Sequence, residues 1–510
     1  MTHPRTPSRR AVLGAAAWTA PVVAVATAAP AYAASTTQAS VTSTSGDTSN
    51  RQGFVYLSLS PAPETTPAYS AAYDDPGAAT AGLVPLGTDG AAGLYRFEFS
   101  TTTEPCPATI TAAITLDGYG TTNATVLMAA PGTPDTTFTD PYLTNGRGVA
   151  LQPDGKILVS GSFGLVGEER VVRRALARFN ADGTVDTTFA DPAIQGTNGY
   201  RVVLQPDGKV LVCGQFTLAG SPSVSRLRIA RFHPDGTLDT SFANPNLNGT
   251  VCWSIALQPD GKVLAAGSFT TAGADNTARR RLARFNSDGT LDSSFADPNL
   301  NGVAQDVVVQ ADGKVLVVGS FTAAGSTGSA RHNLARFNTD GTLDTSFADP
   351  NLSADAGGAA YAIALQPDGK VLVGGTFTTA GSENAPARGV ARFHTDGTLD
   401  TTFVDPNLTV DPSTSGRAQS LALQPDGRVL VGGVFSFAGP DAAARRGVAR
   451  FNADGTLDAT FVDPNLDNGP SVSSAAGLLV LPSGKVLVSG SFTAVGTGFT
   501  TARGLARFNA

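Results

Sequence analysis

The stretch "VCWSIALQPDGKVLAAGSFTTAGADNTARRRLARFNSDGTLDSSF", Val251–Phe295, decides the fold. Two apolar runs, WSIALQ and KVLAAGSF, flank Pro259-Asp260-Gly261, and two more, RLARFN and TLDSSF, flank Ser287-Asp288-Gly289. Short apolar runs separated by Asp-Gly turns read as β-hairpins. The Asn-x-Asp-Gly form predicts a type I turn followed by glycine in the left-handed region. Helical spacing of apolar residues is absent, and glycine and proline interrupt the runs. Four antiparallel strands in about 50 residues is the content of one propeller blade.

The phrase recurs. Its turn lies at Pro153, Pro206, Pro259, Ala311, Pro367, Pro425 and Pro482, at intervals of 53, 53, 52, 56, 58 and 57 residues. Repetition at such a period marks a repeat architecture. The last copy ends at "GLARFNA", without its fourth run, while "TPDTTF" at Thr133–Phe138 is a fourth run without a predecessor. The expectation is an all-β chain carrying a seven-bladed β-propeller over residues 133–510, closed by this N-terminal strand, which would remove an exposed sheet edge. The units resemble the delta-60 repeats of exported bacterial proteins, matching at "DGKVLV-G-F" and "ARFNxDGTLDxxF". That resemblance implies a propeller and export, and no general reaction.

The rest of the chain reads differently. Residues 1–33 look like a signal peptide: Arg5, Arg9 and Arg10, an apolar stretch, then Ala31-Tyr32-Ala33 as cleavage site. The Arg9-Arg10 pair with Leu13 resembles a twin-arginine (Tat) signal. Losing three arginines takes the net charge from −7 to −10, which gives no sign of a nucleic-acid surface. No apolar run after residue 35 is long enough for a membrane span. Residues 35–130, with "GFVYLSLS", "GLYRFEFS" and "ATITAAITLDG", read as a small β-sandwich domain of immunoglobulin-like type without its usual cysteine pair. Cys106, Cys213 and Cys252 show no metal-binding spacing, and three half-buried thiols are expected. No metal or cofactor is expected.

Length changes are confined to one place. From turn proline (or Ala311) to closing Phe is 36 residues in every complete unit, and all variation falls between that Phe and the next turn. In an antiparallel meander these connections lie at the end opposite the Asp-Gly turns. The three longest hold residues 353–360, 409–418 and 467–475. Variable loops on a fixed scaffold carry binding. The candidate ligand residues are therefore Tyr361, Arg417, Asp355, Asp411, Asp467 and Asn468. Trp253 and Tyr200 join them, because Arg147, Tyr200, Trp253, Gln305, Tyr361, Gln419 and Ala476 each begin an inner strand near that mouth. Aromatics with amides suit a sugar or peptide; aromatics also fill gaps between blades.

Recurrent charges read as structure. Arg178 with Asp186, and their counterparts down to Arg507 with Asp135, are expected as cross-strand pairs of about 0.2–1 kcal/mol. The Asp-Pro at Asp140, Asp191, Asp297, Asp349, Asp405 and Asp463 is a turn starter rather than a calcium ring, since calcium needs six to eight oxygens together. The function expected is non-catalytic binding outside the cell, of a carbohydrate, surface polymer or protein. The alternatives are a polysaccharide-active hydrolase or lyase using Asp355, Asp411 and Asp467, and a structural surface protein. A Ser-His-Asp site would have to use His332, since His3, His233 and His394 lie elsewhere.

Overall fold

The structure, a computed structural model, describes residues 131–509 except 355–356, 412 and 470–472, together with strands between residues 22 and 127. Every regular element among the described residues is a β-strand. The chain divides into two compact units, the second being Gly132–Leu423 with Val429–Ala510.

In the first unit, one sheet orders Val22–Ala24, Gln38–Asp47, Gln52–Ser60, Leu94–Thr101 and Ala78–Pro85. A second sheet orders Tyr69–Tyr73, Thr109–Leu116 and Gly120–Leu127. The Tyr69 ring meets Phe97 edge-on at 5.9 Å, tying one sheet to the other. Cys106 lies outside the described residues.

The second unit repeats one arrangement of propeller type. In the third repeat, Cys252–Leu257 pairs antiparallel with Val263–Gly267, which pairs with Leu282–Phe285. Seven such sheets occur among the described residues. The Asp-Gly turns have the expected form: Gly155 and Gly183 lie at φ 83° and 90°, and the Asn180 and Thr184 backbones pair at 2.8 Å.

The fourth run departs from expectation. It pairs through a single bridge, such as Phe285 with Leu291, and then turns away. The cause is local. Asp292 Oδ1 accepts from both N and Oγ of Ser294, at 3.0 and 2.6 Å, which bends the chain and drops Phe295 into the core. A short hairpin with no counterpart in the expected four strands, Thr271–Ala272 with Thr277–Ala278, lies between second and third strands.

The core sits between successive sheets. Leu211, Cys213 and Ile229 of the second repeat pack with Phe242, Ile255, Phe269 and Phe285. Burying each phenylalanine contributes about 1.5–3 kcal/mol. Leu481, Leu487 and Leu505 of the seventh repeat share a cluster with Ile157, Val159 and Phe179 of the first. Residues 132–135 run beside the last strand: Pro134 bridges Phe508, Asp135 N donates to Arg507 O at 2.8 Å, and Asn509 N donates to Thr133 O at 2.9 Å. Cys213 and Cys252 are free and buried, and burial next to the Cys213 thiol pushes Cys252 up.

Candidate functional site

The first strands of all seven repeats line one cavity of about 490 Å3. One irregularity shapes it. The pairing of Gly199 with Gly214 is followed by Arg201 with Cys213, so Tyr200 has no partner and forms a β-bulge. The same register shift skips Trp253, Gln305, Tyr361, Gln419 and Ala476. In the first repeat it falls at Arg147-Gly148. A bulge inserts one residue and re-aims its side chain. Here it puts Arg147, Tyr200, Trp253, Gln305, Tyr361 and Gln419 on the cavity wall.

The glycine of "VLVxG" makes room for the bulge. A Cβ on Gly214, Gly267, Gly319, Gly375, Gly433 or Gly490 would overlap a first-strand carbonyl: that of Asn198, Val251, Val303, Ala359, Arg417 or Ser474. These are steric requirements on close backbone approach rather than on φ. The glycine is plain in the repeated motif, but only the pairing shows what it serves.

The bulge side chains touch one another. Tyr200 and Trp253 rings lie 4.3 Å apart, tilted by 50°, and the Arg147 guanidinium sits 4.8 Å over Tyr200. Arg417, which does not itself line the cavity, holds its guanidinium 5.0 Å over the Tyr361 ring. Burial pushes the Tyr200 phenol above its ordinary value, with Arg147 opposing. Among the described residues one carboxylate lines the cavity, Asp306. It occurs in one repeat alone, so the repeated motif carries no sign of it. It accepts from Ser254 Oγ at 2.6 Å, Val307 N at 3.0 Å and Ile363 N at 3.3 Å, and so joins three repeats.

The long loops behave otherwise. Asp411 accepts from Ser413 N, Ser413 Oγ and Thr414 N at 2.8, 2.7 and 2.9 Å, and these bonds lower its carboxyl to about 2. Asp467 bridges Ala494 through its backbone, and Asn468 Nδ2 donates to Ser491 Oγ at 3.1 Å. None of these three lines the cavity. Asp355 lies outside the described residues. His332 Nδ1 meets Asp349 at 2.6 Å, away from the cavity wall. No group of three or more His, Cys, Asp or Glu able to hold a metal occurs among the described residues.

The recurrent charges are more deeply set than a surface cross-strand pair. Arg178 Nε donates to Asp186 Oδ2 at 2.7 Å, Lys156 Nζ adds a bond at 2.9 Å, and Arg178 lies over Phe189 at 4.7 Å. Burial works to raise the Asp186 carboxyl, but bonds from Thr188, Lys156 and Arg178 hold it well below the usual carboxylate range. Asp135 meets Arg507 at 2.5 Å and is also bonded by Lys485. Burial pulls Lys485 down to about 8. The Asp-Pro carboxylates cap loops: Asp297 Oδ1 accepts from Arg280 N at 2.7 Å and Asn299 N at 3.1 Å.

Comparison with known proteins supports the fold. Six segments, 152–189, 205–242, 258–295, 310–347, 366–403 and 424–461, match the domain of unknown function DUF5122, described as a β-propeller. Each match ends at the closing Phe and leaves out the variable connection. No curated protein matches. A gluconolactonase structure from Xanthomonas campestris is 14% identical, with 74% of this chain and 98% of that chain covered at a TM-score of 0.35. A chain in an S. cerevisiae complex of dbp5 with nup159 and gle1 is 8% identical, over 68% and 84%, at 0.32. At those scores neither likeness carries an argument, and the support for the fold rests on the repeated family match.

Proposed function

We propose that this chain is an exported, non-catalytic binding protein whose seven repeats close into a ring and hold a carbohydrate in the central cavity. The bulge ring carries the reading. One backbone device presents the same position of every repeat to one cavity, while the residue there changes from Arg to Tyr, Trp, Gln and Ala. Aromatics in contact, beside two amides and the Arg147 guanidinium, offer a sugar ring apolar faces and hydrogen-bond partners together.

Ring closure is supported at the Asp-Gly turns. Arg178 Nη1 donates to Pro234 O of the next repeat at 2.5 Å, and Arg507 Nη1 donates to Ala181 O of the first at 2.5 Å. Export rests on the leader-like residues 1–33. An immunoglobulin-like identity for residues 35–130 is part of the same proposal.

A glycan array probed with residues 34–510, beside Trp253→Ala, tests the function. Saturable binding to one glycan class, weakened at least about tenfold by Trp253→Ala at unchanged melting temperature, is expected. Binding indifferent to Trp253, or no glycan bound, would remove the carbohydrate reading.

A further inference from the structure

We propose that the fifth repeat carries a second binding site, at its outer edge, for an alkylguanidinium group. The observation is a substitution within the chain's own repeats. Arg173, Arg226, Arg279, Arg331 and Arg445 stand at one position after the short hairpin; the fifth repeat has Ala387 there, and the seventh Ala502. In the five repeats with arginine, Nη1 donates to the carbonyl of the preceding residue at 2.7–2.8 Å. Arg173 Nη2 also lies 3.5 Å from Asp186 O and 3.4 Å from Thr187 O. Burial lowers the Arg173 pKa, and the fields of Asp191 and Asp186 oppose that shift.

Every part of this receptor survives in the fifth repeat without its occupant. A cavity of about 230 Å3 opens there, lined among others by Pro386, Ala387, Asp400, Thr401 and Asp405. Pro386, Asp400 and Thr401 correspond to the three residues whose carbonyls receive Arg173. Asp405 corresponds to Asp191. Its Oδ1 accepts from Arg388 N at 2.7 Å and Asn407 N at 2.9 Å, while Arg388 Nη1 goes to Asn407 at 3.1 Å. In the first repeat the equivalent Arg174 bonds Asp191 Oδ2 at 3.2 Å. Asp405 Oδ2 therefore has no partner among the described residues.

A planar fork with donors on both arms fits carbonyls set on the short hairpin and on the turn after the fourth run, and an ammonium point charge does not reproduce it. The ligand class is therefore a monoalkylguanidinium, free or as an arginine side chain of another molecule. The site is independent of the central cavity and of its ligand.

Titration of the full chain with N-propylguanidinium, followed by NMR or calorimetry, tests the site. Saturation about tenfold tighter than for N-propylammonium is expected. A387R should remove one equivalent of binding and raise the melting temperature by filling the slot. Equal affinity for the two cations, or unchanged binding in A387R, would overturn the proposal. An acetylated, amidated Gly-Arg-Gly peptide separates the sources. Competition at similar affinity assigns the slot to side chains, and exclusion of the peptide beside retained N-propylguanidinium binding assigns it to small guanidinium compounds.

Discussion

The two ends of each repeat obey opposite rules. At the Asp-Gly turn end, an Arg-Asp pair over a closing phenylalanine recurs with nearly unchanged distances: 2.7 Å for Arg284 with Asp292, 2.8 Å for Arg336 with Asp344, 2.8 Å for Arg392 with Asp400. At the bulge end the backbone is just as regular, but its side chain is Arg, Tyr, Trp, Gln or Ala. One repeat thus pairs a constant turn end with a varied bulge end, and the proposed recognition rests on the varied one. Buried charges must be matched wherever they occur, so the turn end cannot vary. The bulge side chains face the cavity, with no ion pair shared among the repeats in the described residues, so the bulge end can vary.

The seam between first and last repeats should show the largest effect. A chain beginning at residue 140 lacks Asp135, so buried Lys485 loses its partner and the last strand keeps an open edge. It should lose about 5 kcal/mol or more and aggregate on heating. Melting like that of residues 131–510 would contradict the closed ring.

Next comes a single turn-end carboxylate. Asp292→Ala leaves Arg284 buried beside Lys262, with an expected loss of about 3–5 kcal/mol in chemical denaturation. A loss under about 1 kcal/mol would reduce the pair to a surface contact.

The same carboxylates set the acid limit. Asp186, Asp239, Asp292, Asp344 and Asp400 are all held below the ordinary 3.8. A carboxylate depressed in the folded state contributes stability that is complete above the unfolded value and is lost as pH falls through the folded one. The melting temperature should therefore stay flat from pH 7 to about 4.5 and decline below about 3.8. Loss beginning near pH 6 would point to other groups.

The smallest effect on stability separates backbone from side chain at the bulge end. Gly267→Ala sets a Cβ against Val251 O and should cost about 1–3 kcal/mol while displacing Trp253. Trp253 fluorescence should shift with it. An unshifted spectrum with full stability would mean that the bulge does not need its glycine.

Much of the fold is legible in the amino-acid sequence. The period, the Asp-Gly turns and the unmatched runs at Thr133–Phe138 and at the last repeat are local or countable features, and strand pairing at 132–135 agrees with them. The site is half legible. Tyr200, Trp253 and Tyr361 stand out as large residues at one repeated offset, and the cavity gathers them. Loop length points instead to Asp411, which closes its own turn, and to Asp467 and Asn468, which tie their connection to Ala494 and Ser491. Surplus length signals tolerance of insertion, which needs no ligand.

The repeat itself is written locally: its hydrogen-bonding turns and alternating apolar runs depend on neighbours a few residues apart. Where the repeats meet is a matter of long-range packing. The bulge at Tyr200 and Trp253, the three-way use of Asp306 and the emptied slot at Ala387 depend on backbones from different strands or repeats approaching closely. Such approach is governed by contacts between sheets, and no run of adjacent residues specifies it.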